Sequence, residues 1–189
     1  MNRQIAVIAG PTAVGKTKFA IEAAKALDGE IISCDSMQLY RYMDIGSAKP
    51  TPEEMAQAVH HLVDVIDPSQ PFSAAMYQKM AKEAIEEVFS RGKLPIISGG
   101  TGLYLNTLIY DMDFSGADRD DRLRLELEEE ARANGPEALH RRLEELDQDA
   151  AERIHPNNVK RVIRALEGAL TGHNIRDFRE CISKCKDYD

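Results

Sequence analysis

The chain has 189 residues, 43% of them apolar and 30% charged, which is enough to bury a real core and fits a globular protein of about one domain. Its 24 Lys and Arg stand against 32 Asp and Glu, and the formal net charge of -8 argues against a nucleic-acid binder of the generally basic kind. The sequence has no apolar run long enough to span a bilayer, and three cysteines, Cys34, Cys181 and Cys185, are too sparse for a disulfide framework, so the expected setting is the reducing cytoplasm.

The short apolar start, QIAVIAG, reads as a buried strand and meets glycine instead of a cleavage site, so no signal peptide is expected. KTKFAIEAAKALDG follows as an amphipathic helix closed by Gly29. EIISCD and HLVDVID read as the second and third strands. SAAMYQKMAKEAIEEVFSRG reads as a helix capped by Ser73 and stopped at Gly92, and KLPIISGGTG as a fourth strand running into glycines. Strands alternating with helices imply a parallel sheet covered on both faces. From residue 114 the texture changes: no strand pattern recurs, and three helices are expected, broken at NGP, LDQD and HPNN. Residues 118 to 152 are strongly acidic, whereas RIHPNNVKRVIR, residues 153 to 164, carries Arg153, Lys160, Arg161 and Arg164 and no carboxylate. Cys181 and Cys185 lack the His or Cys neighbours a zinc site needs.

GPTAVGKT fits G-x-x-x-x-G-K-[ST] at Gly10, Gly15, Lys16 and Thr17, with a strand before it and a helix after. Backbone N–H groups of such a loop form a nest at a positive helix end, Lys16 adds a full charge, and the Thr17 hydroxyl suits Mg²⁺. A diphosphate or polyphosphate group is therefore the expected ligand. Asp35, ending EIISCD, is the carboxylate best placed beside that loop, because ligands of open α/β sheets lie beyond the carboxyl ends of strands. It can support Mg²⁺, act as a general base, or simply cap a turn. Gln38 can pair with a base edge, as glutamine does with adenine. GGTGLY opens a further helix with Thr101 facing the same edge. The adjacent histidines of HHLVDVID point to opposite sides of an extended chain, which makes a shared metal awkward and favours structural or substrate-proximal roles. A small-molecule or nucleotide kinase, and a non-catalytic RNA-binding module, stand as alternatives on these residues alone.

GPTAVGKT, DSMQLYR, GSAKP, HHLVDVIDP, LPIISGGTGLY and IHPNNVKRVIRALE occur in the order seen in tRNA dimethylallyltransferases, also called tRNA isopentenyltransferases. The resemblance covers nearly the whole chain. It implies a P-loop kinase-like core (residues 1 to 113), a helical tRNA-binding insertion (114 to 178) and the start of a return to the core (179 to 189). It implies transfer of a dimethylallyl group from dimethylallyl pyrophosphate to the exocyclic amine of adenosine 37 in tRNA, with Mg²⁺, by a monomer that grips the anticodon stem loop.

Carried over residue by residue, Gly10, Pro11, Thr12, Ala13, Val14, Gly15, Lys16 and Thr17 resemble the pyrophosphate cradle, with Thr17 toward the metal. Asp35 resembles the general base, with Lys16 and Thr101 as its catalytic companions. Ser36, Met37 and Gln38 complete the adenosine-reading segment, and Thr101, Arg124, Lys160, Arg161, Val162, Ile163 and Arg164 resemble tRNA contacts. Val159, Ile163 and Leu166 also make an apolar stripe on that last helix, which would pack inward. Asn158 and Ser47 replace the family's usual aspartate and threonine. Members normally continue well past this chain's last residue with a further core strand, basic helices and an arginine for the pyrophosphate, so the expectation is an intact donor site, an exposed sheet edge and weak or absent transfer.

Overall fold

A computed structural model describes residues 3–110, 112, 121–172 and 188. The chain divides into two compact units, Met1–Met112 with Ile182–Asp189, and Asp113–Cys181. The Cys181–Cys185 pair and the boundaries expected at 113 and 178 lie outside the described residues.

The first unit is built on a parallel sheet of β1 (Ala6–Ala9), β2 (Gly29–Ser33), β3 (His60–His61) and β4 (Leu94–Gly99), in the spatial order β1-β4-β2-β3. Around it run α1 (Lys16–Leu27), α2 (Pro52–Met55), α3 (Ala74–Ser90) and α4 (Gly102–Ile109). Successive strand residues face opposite sides, and the apolar runs of β2 and β4 exploit this. Ile31 and Ile96 pack with Ala20, Ile21 and Ala24 of α1. Ile32 and Ile97 pack on the other face with Tyr77, Ile85 and Val88 of α3 and Leu108 of α4. Each such fully buried side chain contributes about 1.5–3 kcal/mol by leaving water. Tyr188 joins the second cluster, beside Phe89. The α/β fold expected from the strand–helix alternation is the one observed, but three local expectations are corrected.

Helix α1 is closed by Asp28, at φ 48, and not by Gly29. Gly29 instead opens β2, where a Cβ would lie 2.7 Å from Ile96 Cδ1 and 2.8 Å from the Leu94 carbonyl oxygen. It is a glycine because two strands meet there. The third strand shrinks to His60–His61 with an isolated parallel bridge between Tyr40 and Ile66. Leu62 and Asp64, at φ 60 and 55, leave the extended region and end it. Ser73 caps α3 as expected, its hydroxyl accepting from the Met76 N–H at 3.3 Å.

The second unit contains four helices among the described residues, not three: α5 (Asp121–Asn134), α6 (Pro136–Leu146), α7 (Gln148–Arg153) and α8 (Val159–Thr171). Asp147 ends α6 and also caps α7, accepting from the Ala150 N–H at 2.9 Å, so LDQD separates two helices with almost no loop. Pro136 opens α6 behind Gly135, whose φ of 85 suits glycine. Leu127, Leu139, Leu143, Val162, Ile163 and Leu166 form the core of this unit. His140 Nε2 lies 2.7 Å from the Ile154 carbonyl oxygen and ties α6 to the end of α7.

Candidate functional site

Three strand ends in the first unit converge. After β1 the chain turns through Gly10–Gly15, with left-handed backbone at Ala13 (φ 67) and Gly15 (φ 89), and enters α1 at Lys16. Gly15 is the N-cap of α1 and offers no side-chain cap, which leaves the first-turn N–H groups to an anion. Lys16 Nζ donates to the Pro11 carbonyl at 2.6 Å, across the mouth of its own loop. Thr17 follows, half-buried, in the first turn. Pro11, Thr12, Ala13 and Val14 are all exposed.

After β4, the neighbour of β1, come Gly99, Gly100 and Thr101. A Cβ on Gly99 would fall 2.0 Å from the Cys34 carbonyl oxygen, so glycine lets β4 and the end of β2 touch. A Cβ on Gly100 would lie 3.2 Å from the Gly10 carbonyl oxygen and 3.9 Å from Lys16 Nζ. The end of β4 thus backs directly onto the phosphate loop.

After β2 comes Asp35. Its Oδ1 accepts from the Met37 N–H at 2.9 Å, the turn-capping role weighed from sequence. Its second carboxylate oxygen has no hydrogen-bond partner among the described residues. Thr101 fixes this segment from the β4 side: its N–H donates to the Cys34 carbonyl at 3.1 Å, and its Oγ1 accepts from the Ser36 N–H at 2.9 Å. Asp35, Ser36, Met37, Gln38 and Thr101 are therefore brought together on the edge that holds Gly10 and Lys16. Gln38 is more committed than its sequence position suggests. Its Oε1 accepts from Ser33 Oγ and its Nε2 donates to the Ala48 carbonyl, both at 2.8 Å, so it braces the loop that follows.

Beneath the site, Tyr77 donates its hydroxyl to the Ser33 carbonyl at 3.1 Å and stacks on Tyr104 with ring centroids 4.1 Å apart. Burial pushes the Cys34 thiol up to about 11, with the nearby Asp35 charge adding to this against a hydrogen bond with Tyr77. A thiol so raised stays protonated and is no nucleophile. His61 takes a structural role at the other end of β2. His61 Nε2 lies 2.7 Å from Glu30 Oε2, and Arg91 grips the same carboxylate through Nε at 3.1 Å and Nη2 at 2.7 Å. No group of three or more His, Cys, Asp or Glu arranged for a metal exists among the described residues.

In the second unit the basic strip divides. Lys160 and Arg161 are exposed, while Val162 and Ile163 lie in the core, 0% and 5% exposed. The side chains of Val162 and Ile163, expected from sequence to face tRNA, pack against the other helices of this unit. Arg124 holds Glu167 in a fork, Nε to Oε1 at 3.0 Å and Nη2 to Oε2 at 2.8 Å. Arg164 Nη1 joins at 2.8 Å. Burial alone would push the Glu167 carboxyl up, but the two guanidinium groups outweigh it and hold it below its ordinary range. Sequence reading missed Glu167; the available signal was one acid inside the apolar stripe of α8, three residues after Arg164.

A parallel sheet with a glycine-lysine loop after its first strand and an acid beyond the neighbouring strand ends defines a protein of the P-loop α/β class. The family model described as IPP transferase matches residues 38–189, and the chain belongs to that family. It is 57% identical over 168 residues to a tRNA dimethylallyltransferase of Exiguobacterium, which covers 89% of this chain and 54% of the relative. A tRNA dimethylallyltransferase of Alkaliphilus oremlandii is 52% identical over 190 residues, covering 100% of this chain and 61% of the relative. The solved full-length tRNA isopentenylpyrophosphate transferase of Bacillus halodurans is 51% identical with a TM-score of 0.59, over 88% of this chain and 55% of that one. A eukaryotic dimethylallyltransferase captured acting on tRNA is 33% identical with a TM-score of 0.74, over 87% of this chain and 41% of that one. The chain thus spans little more than half the length of the curated relatives it matches.

Proposed function

We propose that this chain carries the donor-binding and acceptor-activating machinery for transferring a dimethylallyl group from dimethylallyl pyrophosphate to the exocyclic amine of adenosine 37 in tRNA. The observation that supports this best is the convergence of the phosphate loop, Thr101 and Asp35 on three neighbouring strand ends. In this reading Lys16 and the N–H groups from Gly10 to Thr17 hold the diphosphate and take up the charge that develops as its C–O bond breaks. The amine nitrogen forms the new N–C bond, and Asp35 accepts the proton it loses. Thr101 positions the Asp35–Ser36 segment, and Gln38 braces it from below.

Mg²⁺ fits the donor set present. One hydroxyl, on Thr17, at the entrance of α1 suits an ion that keeps waters and substrate phosphates as its other ligands, and not an all-protein cage. When bound it would supply additional neutralisation of the diphosphate. The helical unit, residues 114 to 178, would supply cations to the backbone of the anticodon stem loop, led by Lys160 and Arg161. The adenine must leave its stack to reach Asp35, a cost of a few kcal/mol that such contacts offset. No helix among the described residues is long and apolar enough to cross a membrane.

Mass spectrometry of tRNA nucleosides after incubation with dimethylallyl pyrophosphate and Mg²⁺ tests this reading. The expected product is adenosine heavier by one dimethylallyl group. A phosphorylated product formed from ATP and a small acceptor, with no prenylated nucleoside, would restore the kinase alternative.

A further inference from the structure

The loop that follows the Asp35–Gln38 segment carries an exposed apolar surface that the reaction above does not use. Met37, Tyr42, Met43 and Ile45 line an open cavity of about 330 Å³, with Asp44 and Ser47 on its rim. That volume is in the range of small-ligand clefts, about 300–1,000 Å³. Tyr42 is 79% exposed and Ile45 fully so.

This exposure is held in place. Tyr42 has a φ of 66, a conformation that strains a bulky residue, and Gly46 and Ala48 follow at φ 79 and 50. Lys49, with its side chain only 7% exposed, reaches Asp44 at 2.7 Å and Asp64 at 2.5 Å. Ser47 Oγ donates to the Met43 carbonyl at 2.6 Å, and Gln38 Nε2 grips the Ala48 carbonyl. A strained backbone pinned at four points keeps an aromatic ring out in solvent.

We propose that Tyr42, with Met37 and Ile45, is a stacking platform for an unpaired nucleobase of RNA, the neighbour of the adenosine held at Asp35. The proposal rests on the reading of Asp35–Gln38 as the adenosine-binding segment. Met37 belongs both to that segment and to the cavity, so a strand threaded through the first arrives at the second. A phenol ring that shares a cavity with two thioethers offers a polarisable surface to which a base can bind by its face. The rim charge agrees: Asp44 is compensated by Lys49, while Arg41 is exposed next to Tyr42, anchored through Nε to the Asp64 carbonyl at 3.0 Å. Arg41 makes no ion pair with a carboxylate among the described residues, though its charge acts on the Asp67 carboxylate, and its remaining N–H groups suit a phosphate.

Tyr42→Gly makes a clean test, because glycine adopts positive φ freely and the variant keeps or gains stability while losing the ring. The probe is an anticodon stem-loop RNA with 2-aminopurine at the nucleotide beside the target adenosine, titrated with the full chain. The wild type and Tyr42→Phe are expected to quench the 2-aminopurine, and Tyr42→Gly to lose the quench and bind about ten-fold more weakly. Equal quenching by Tyr42→Gly and wild type, or tight wild-type binding without quenching, overturns the platform and leaves the adenosine site standing. Failure of the wild type to bind the RNA at all overturns both. Weaker binding of dimethylallyl pyrophosphate by Tyr42→Gly, with RNA binding unchanged, would reassign the cavity to the donor's alkyl chain.

Discussion

Each unit buries one glutamate under arginine, and the two do so for different ends. Glu30, 3% exposed, is held by Arg91 and His61 at the start of β2, the opposite end of the strand from Asp35. Glu167, 2% exposed, sits on α8 itself, three residues past the strip that sequence assigned to RNA. In the α/β unit the ion pair is scaffold, and the chemistry we propose lies on loops at the far strand ends. In the helical unit the ion pair consumes two of the four cations, Arg124 and Arg164, that a reader of the sequence would spend on phosphate. A basic strip counted from sequence overstates the charge a surface offers.

The largest effect should fall on the α/β side. Asp35→Asn keeps the Met37 turn and removes the base, and is expected to lower prenyl transfer about 10²- to 10⁴-fold with no change in diphosphate affinity. Nucleoside mass spectrometry beside calorimetry with dimethylallyl pyrophosphate checks this. Equal loss from any single substitution on α8 would break the contrast between the units.

Next is the core of the helical unit. Ile163→Ala should destabilise it by about 2–5 kcal/mol in denaturant melts, while RNA affinity per folded molecule stays unchanged. A weakened affinity with an unaltered melt would place Ile163 on the RNA surface.

The two buried glutamates sharpen the comparison through pH. The Arg91 hydrogen bond holds the Glu30 carboxyl below its ordinary range against the opposing effect of burial, and the guanidinium pair does the same for Glu167. A carboxylate with a depressed native pKa binds fewer protons folded than unfolded. Its stabilisation is therefore complete above the ordinary glutamate range and is lost as pH falls through the lower native value. Glu30→Gln and Glu167→Gln should each lower the melting temperature at neutral pH by less than Ile163→Ala does, and each should flatten the acid limb of the melting curve. They should differ in RNA binding. Glu167→Gln releases Arg124 and Arg164 from a charge, so the salt dependence of RNA affinity should steepen, whereas Glu30→Gln leaves it alone.

What was legible in the sequence follows the range of the interaction. GPTAVGKT is a local backbone device, complete within one turn and one helix entrance, and it reads directly. So do the unbroken apolar runs of β2 and β4, because each strand meets a helix on both faces. Gly29 and Gly99 were misread or unread because their reason lies on a strand distant in sequence, at Leu94 and at Cys34. The clamp from Thr101 to Ser36 spans 65 residues, and no spacing rule announces it. The third strand failed for a different reason: HLVDVID has strand composition, but Leu62 and Asp64 turn left-handed, and Asp64 then joins Lys49 and Arg41 in holding the Tyr42 loop.

The smallest structural effect belongs to the two cations that remain outside that buried pair. Lys160 and Arg161 are exposed at the start of α8 and make no ion pair with a described residue. Cations there also sit at the positive end of the helix, where they gain nothing from the backbone dipole. Lys160→Ala and Arg161→Ala should leave the melting temperature unchanged or slightly raised. Their use must lie outside the fold, and each should reduce the slope of log affinity for RNA against log salt by about 1. A stability loss without a change in slope would make them part of the scaffold after all, and the helical unit would then have no surface set aside for phosphate.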